Sequence, residues 1–343
     1  MTETPTRQSS AWADTALATM RAALDHMVEA GRTPGGVIAA GTVDTVAFSV
    51  SGTVTPSGPA APEPSTMYDV ASLTKVVATW PLVGDAVTRN LLDLDAPVAA
   101  YFPEFTAGAG MSVTVRQILT HTSGLMPSTR LDRYVGDHRD VAEAILSEPL
   151  DNQGAHRYIN RGFILLGLLL ARVNGRPLAD LLDGFAGELG VSGLQYGPLP
   201  RSPSVAPTER RLVGGEPLHG VVHDENAHTL GGVAGHAGVF ASAEALAALA
   251  RRLLAVNGET GTWAEFVAES WSPVVRVDES TSRGLAWLLS KNGVVYHHGF
   301  TGTSLYLAPD TGRYLVLLTN AIAHGRDRVG LPELRRSAIG LFG

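Results

Sequence analysis

Apolar residues recur along this chain at two periods, and the change from one to the other marks out its regions. Over residues 11–30, Trp12, Leu17, Leu24 and Val28 fall at roughly helical spacing, which predicts a surface helix. Residues 35–51 hold two β-branched stretches with partial alternation about Asp44 and predict a hairpin. A Pro/Gly/Ser/Ala loop over 55–65 leads through 67–71 to an apolar helical stretch from Ser72 to about Thr88, which Pro81 should kink near its third turn. Helical spacing returns at 115–119, 140–146 and 161–173, separated by Gly/Pro/His-rich connections. A loop rich in His and Gly over 214–238 precedes a strongly helical 242–256. Strand-like runs follow at 283–289, 293–298, 303–308 and 313–319, the last two joined by a Pro309-Asp-Thr-Gly312 turn, and residues 331–342 read as a closing helix.

Sheet at both ends with helices between predicts an α+β fold. Residues 11–80 and 240–343 are expected to form one discontinuous sheet domain, interrupted by a mainly helical domain of 81–239 that carries active-site loops. With 343 residues, 45% hydrophobic and 17% charged, the chain can bury the core such an arrangement needs and is too apolar to be disordered. A formal charge of −7 without a basic patch disfavours nucleic acid and anionic membrane surfaces as partners. The absence of cysteine excludes disulfides, thiolate metal sites and Cys nucleophiles. The most apolar run, 163–171, lies between Arg161 and Arg172 and is far shorter than the ~20 residues that span a bilayer. The polar segment 1–10 has no export-signal character, so the expected location is the cytoplasm unless a leader is removed. No dinucleotide-binding Gly-x-Gly-x-x-Gly, Walker loop or Gly-x-Ser-x-Gly elbow is present, so no nucleotide cofactor is expected and an α/β-hydrolase is disfavoured.

Three short patterns carry candidate chemistry. Ser72-Leu-Thr-Lys75 puts a hydroxyl and an amine on one face of a helical turn. A serine needs its proton removed, and a Lys can remove it only if its pKa falls below the usual ~10.4, which Arg cannot do. Only Lys75 and Lys291 are lysines in a chain that otherwise uses Arg, which adds weight to Lys75. Alone, Ser-x-x-Lys is a common helical turn. Tyr158-Ile-Asn160 adds a phenol and an amide that can face one cleft, although a tyrosine packed at the start of the next helix is the plainer reading. At His297-His-Gly-Phe-Thr-Gly302, Gly299 permits close approach to a strand, and a backbone N–H there can face developing negative charge. His236-Ala-Gly238 repeats that pattern in a loop and ranks below it. His219, His223, His228 and His236 crowd together with Asp224 and Glu225, but the surrounding Gly and Pro argue against a helical zinc site, so these side chains are expected to fasten the loop beside the active site. His121 is expected to cap a turn.

In their order and separation, Ser72-Leu-Thr-Lys75, Tyr158-Ile-Asn160 and His297-His-Gly299 resemble the three motifs of the serine β-lactamase and penicillin-binding-protein superfamily, and more narrowly its class C β-lactamase-like branch of D-alanyl peptidases, esterases and transacylases. Residues 118–125 and 222–242 resemble that branch as well. The resemblance implies a β-lactamase-like fold, an antiparallel sheet flanked by helices with an inserted all-helical domain. It implies Ser72 as nucleophile through a covalent acyl-serine, Lys75 and Tyr158 sharing base and acid duties, and Asn160 orienting Lys75 and the substrate amide. The N–H groups of Ser72 and Phe300 would form the oxyanion hole. One departure stands out: the wider family commonly has Lys-Thr-Gly where this chain has His297-His298-Gly299, a place where members of the branch often carry His or Trp, and a histidine near neutrality is only partly charged. This shifts the expectation from β-lactams toward a small ester, amide or peptide, hydrolysed without cofactor or metal. The alternatives are transfer of the acyl group to an acceptor other than water, and a non-catalytic binding or sensor protein on the same fold.

Overall fold

The computed structural model describes residues 11–127, 131–134, 140–211, 214–256 and 258–343, so the polar segment 1–10 lies outside the described residues. The strands are β1 (Gly35–Thr42), β2 (Val46–Gly52), β3 (Tyr68–Asp69), β4 (Leu194–Tyr196), β5 (Val239–Ala241), β6 (Val275–Arg276), β7 (Thr281–Arg283), β8 (Leu288–Ser290), β9 (Val295–His298), β10 (Ser304–Ala308) and β11 (Arg313–Thr319). Eight of them form one sheet in the order β2-β1-β11-β10-β9-β8-β7-β6, antiparallel throughout. Its strands come from the two ends of the chain. The remaining three make a small sheet, β3-β5-β4, which the sequence reading did not anticipate because each is only two or three residues long.

The larger sheet is covered on both faces, and the alternation of its strands shows how. Ile38, Ala40, Tyr306, Leu315 and Leu317 pack on Met20, Leu24 and Leu334 of the flanking helices α1 (Ala11–Glu29) and α10 (Leu331–Gly340). Val37, Ala39, Leu305, Leu307, Val316 and Leu318 join the main core with α8 (Ala243–Ala255). A strand buried on both faces has apolar residues at nearly every position, which is why β1 shows only partial alternation. The buried stripe of α1 is Ala13, Ala16, Met20, Leu24 and Met27, so Trp12, Leu17 and Val28, expected to mark it, flank it instead.

Between the two halves of the sheet run α2 (Trp80–Thr88), α3 (Val115–Leu119), α4 (Val141–Ser147), α5 (Arg161–Asn174), α6 (Leu178–Glu188), and α7 (Glu225–Thr229) inside the segment read as loop; α9 (Thr262–Ser270) follows α8. The buried α5 carries the apolar run, and among the described residues no single helix is long and apolar enough to cross a membrane.

Two expectations need correction. Residues 283–289 are not one strand: β7 ends at Arg283, the chain turns through Gly284 and Ala286 (φ +72°), and β8 returns antiparallel with Arg283 opposite Leu288. Leu285, Ala286 and Trp287 are fully buried in that turn, and their apolar run reads as strand when tertiary burial is unknown. Nor is 72–88 a single helix kinked at Pro81. It is a tight 3₁₀ turn at Ala71–Leu73, a wide π-helical segment at Lys75–Thr79, and α2, in whose first turn Pro81 sits, where its missing N–H costs nothing.

Candidate active site

Ser72 lies in the 3₁₀ turn, not at the start of a regular α-helix. Ala71 before it has φ +47°, a left-handed conformation unusual for a residue with a Cβ, held by the buried Asp69, whose Oδ1 accepts from the Ala71 N–H at 2.8 Å. The other Asp69 oxygen accepts from the His223 N–H at 2.6 Å. Burial pushes the Asp69 carboxyl above its usual pKa, and these two N–H groups pull against that.

The wide turn carries Lys75 inward. The side chain is fully buried, and its Nζ donates to Ser72 Oγ at 3.0 Å, to Tyr158 OH at 2.8 Å and to the carbonyl of His236 at 3.3 Å. Tyr158, 42% exposed, stands over the amine, its ring centroid 4.9 Å from Nζ, so one amine joins the hydroxyl of Ser72 to a phenol that reaches solvent. Behind Tyr158 packs His121, its ring 4.6 Å away, with Nδ1 accepting from the Ile159 N–H at 3.3 Å. His121 has φ +57°, and burial and nearby Arg283 drive its pKa well below the ordinary value, so it is a neutral strut under the tyrosine loop. Asn160 does not hydrogen-bond Lys75; its Oδ1 is buried without a protein partner. The third contact expected of Asn160 is made by the His236 carbonyl.

The segment after β9 meets the serine turn edge on. Thr301 Oγ1 donates to the Asp69 carbonyl at 2.7 Å and Thr303 Oγ1 to the Val70 carbonyl at 3.0 Å, which sew residues 299–303 to the backbone just before Ser72. Gly299 permits the approach, because a Cβ there would lie 2.3 Å from the Val70 oxygen. Arg335 of α10 braces the same segment, its Nη2 donating to the carbonyls of Gly299 at 2.7 Å and Thr303 at 3.1 Å. Phe300 is held between the Arg328 guanidinium, 3.9 Å from its ring centroid, and the His223 ring at 5.5 Å.

Ser72, Tyr158, His297, Gly299 and Phe300 line one cavity of about 330 Å³ with Arg283. A larger groove of about 700 Å³ along β6–β8 contains none of Ser72, Lys75 and Tyr158. His297 is not a cation. It is 2% exposed, and burial with Arg283, Lys75 and His298 nearby drives its pKa well below the ordinary histidine value. Its Nδ1–H donates to the His298 carbonyl at 3.0 Å, which leaves Nε2 a bare acceptor. The cation beside it is Arg283, which sequence reasoning missed. Arg283 is 2% exposed, with Nε donating to His156 Nε2 at 3.0 Å and Nη1 to the Ala286 carbonyl at 2.8 Å. Burial pushes its pKa down only to about 10, so it stays charged at neutral pH, and no acidic side chain lines the cavity. Nothing in the spacing of the chain marked Arg283, since it ends a strand whose turn was read as more strand.

The crowded histidines go to different partners. His219 Nε2 meets the Ser202 carbonyl at 3.0 Å, His223 Nε2 lies 3.0 Å from Glu209, His236 Nε2 lies 2.8 Å from Asp224, and His228 is exposed.

The Beta-lactamase family model matches residues 20–339. Among curated relatives, the N-acetylmuramyl-L-alanine amidase of Bacillus subtilis is 28% identical over 306 residues, covering 76% of this chain and 69% of its own, and a putative D-alanyl-D-alanine carboxypeptidase of Escherichia coli K12 is 26% identical, covering 74% and 69%. Among solved structures, a β-lactamase from Sulfitobacter sp. EE-36 superposes with TM-score 0.78 at 19% identity over 96% of this chain and 98% of its own. EstCE1, a hydrolase with promiscuous acyltransferase activity, superposes with TM-score 0.73 at 19% identity over 94% and 99%. These two share the fold. With a sheet drawn from both chain ends, a Ser-x-x-Lys turn beneath a tyrosine, and a family match over nearly the whole length, the chain belongs to the Beta-lactamase family, within the serine β-lactamase and penicillin-binding-protein superfamily.

Proposed function

We propose that this protein is a serine hydrolase that cleaves a small ester or amide bearing a carboxylate, through an acyl-Ser72 intermediate. The observation that carries the reading is Lys75 Nζ standing between Ser72 Oγ at 3.0 Å and Tyr158 OH at 2.8 Å. In the attack, Ser72 Oγ bonds to the acyl carbon while its proton passes into the Lys75–Tyr158 pair. The same pair returns the proton to the departing alcohol or amine as the carbonyl reforms. Developing charge on the carbonyl oxygen would fall between the Ser72 and Phe300 N–H groups, on two segments that Thr301 and Thr303 hold together. Water then attacks the acyl-serine by the reverse sequence. A carboxylate on the substrate is favoured because Arg283 is a charged, almost wholly buried guanidinium in a cavity without acidic side chains.

The test is intact-protein mass after brief exposure to a p-nitrophenyl ester, a penicillin and a fluorophosphonate, beside Ser72→Ala. Mass gain in the wild type and none in the variant is the expected result, with the ester favoured over the penicillin. Failure of all three to label folded protein would remove the enzymatic reading and leave a binding protein.

A further inference from the structure

We propose that Asp224 and His236 are positioning residues for Lys75: a buried pair that fixes the His236 carbonyl as the amine's third partner. This rests on the acyl-serine reading. The contact at 3.3 Å is the one of Lys75's three that comes from backbone, and it comes from a tight turn closed by a bridge between Ala234 and Ala237, in which the Gly235 carbonyl accepts from Thr79 Oγ1 at 2.6 Å. The His236 imidazole anchors the turn at the position whose carbonyl Lys75 uses. His236 is 0% exposed, and its Nε2 lies 2.8 Å from Asp224 Oδ1. Burial keeps the ring neutral, so Nε2–H is the donor and Asp224 the carboxylate. Asp224 is in turn fixed by the Asn226 N–H at 3.0 Å and the Ala227 N–H at 2.9 Å of α7.

The sequence neighbour extends the device. The His223 N–H is bound by Asp69, the carboxyl group that also holds the strained Ala71 before Ser72. The adjacent residues His223 and Asp224, some 150 positions downstream, therefore hold both ends of the Ser72–Lys75 element, one through the nucleophile's turn and the other through the amine's carbonyl. Neither Asp224 nor His236 lines the cavity, so the pair acts on the amine and not on the substrate.

The experiment measures the rate of Ser72 labelling by fluorophosphonate and the steady-state kinetics of a p-nitrophenyl ester, well below the thermal midpoint of each variant. Asp224→Leu and His236→Leu should each slow labelling and kcat by about 10–100-fold with KM within about twofold, since a displacement of order 1 Å beside the reacting atoms has that cost. The double variant should be no slower than either single one. Asp224→Asn keeps an acceptor and His236→Gln a donor in reach, and each should recover to within about fivefold of wild type. If the leucine variants do not fold, His236→Asn decides: its amide is too short to reach Asp224 and should fall at least tenfold below His236→Gln. Leucine variants at wild-type rate, losses that multiply in the double variant, a rise in KM in place of a fall in kcat, or equal loss in the conservative variants would each overturn the pair's role. A wild type that is not labelled at all would instead overturn the acyl-serine reading.

Discussion

Gly299→Ala isolates close approach from backbone freedom, because Gly299 is not among the positive-φ residues and alanine can adopt its conformation. The added Cβ would lie 2.1 Å from Thr303 Oγ1 and 2.3 Å from the Val70 carbonyl oxygen. The threonine hydroxyl can rotate, at the loss of its hydrogen bond to Val70. The carbonyl cannot, because it belongs to the backbone that leads into Ser72. Ordinary contact requires more than 3 Å, so the two segments must separate by about 1 Å. Overpacking of this kind costs about 1–3 kcal/mol of stability. A displacement of that size between the Ser72 and Phe300 N–H groups should slow acylation by about 100-fold. The assays are the fluorophosphonate labelling rate by intact mass and the thermal midpoint, which should drop by a few degrees. Labelling within threefold of wild type would refute the placement of residues 299–303 as one wall of the reacting site.

Lys75→Arg puts a group in the buried site that cannot take a proton, so the acylation rate should fall more than ~100-fold; a near-wild-type rate by the same mass assay would remove Lys75 from the proton pathway. Arg283→Met should raise KM about 10–100-fold for an ester with a carboxylate and little for its neutral analogue, a ratio independent of the folded fraction; equal change for both would show that Arg283 does not read the carboxylate. Stability should fall as pH drops below about 6.5, because buried His121 and His297 and half-buried His298 have pKa values depressed below that of the unfolded chain, so the unfolded state takes up protons the native state refuses. Each contributes up to about 1.4 kcal/mol per pH unit, and urea midpoints flat from pH 7 to 5 would contradict their burial as neutral rings.

How much of this was legible depended on whether a feature is local. The hairpin about Asp44, α8 with Ser242 as its cap, and the last two strands follow from period and turn chemistry within a dozen residues, and the structure has them where the pattern put them. The two- and three-residue strands of the small sheet carry no period at all. The Gly284–Trp287 turn was hidden for the opposite reason: its residues are apolar because they are buried, and burial in a turn imitates a strand. At the site, Ser72, Lys75, Tyr158, Gly299 and Phe300 were named from spacing and from resemblance, and they meet around one cavity or at its floor. Of the residues that hold them, Asp69 and Arg335 were not singled out, while His121 was expected only to cap a turn and Asp224 only to help fasten its loop. Asp69, His121 and Arg335 reach partners more than 35 positions away, at His223, Ile159 and Gly299, and leave no spacing to read.

The histidine at the third motif shows why residue type alone misplaces a charge. From the sequence, His297 looks like a weakened cation, and the site looks correspondingly short of positive charge. In three dimensions the deficit does not exist: Arg283 ends β7, reaches into the same cavity, and adds to burial in lowering the pKa of His121, His156 and His297. Burial already disfavours a protonated His297, and the guanidinium beside it adds to that penalty, so the ring is neutral through both. His156 must likewise stay neutral to accept from Arg283 Nε, and its pKa is pushed down to about 4 by burial and by that same charge. A buried positive charge of this cavity thus comes from Arg283 at the end of β7, two strands from β9 in the sheet, and not from the histidine at the third motif.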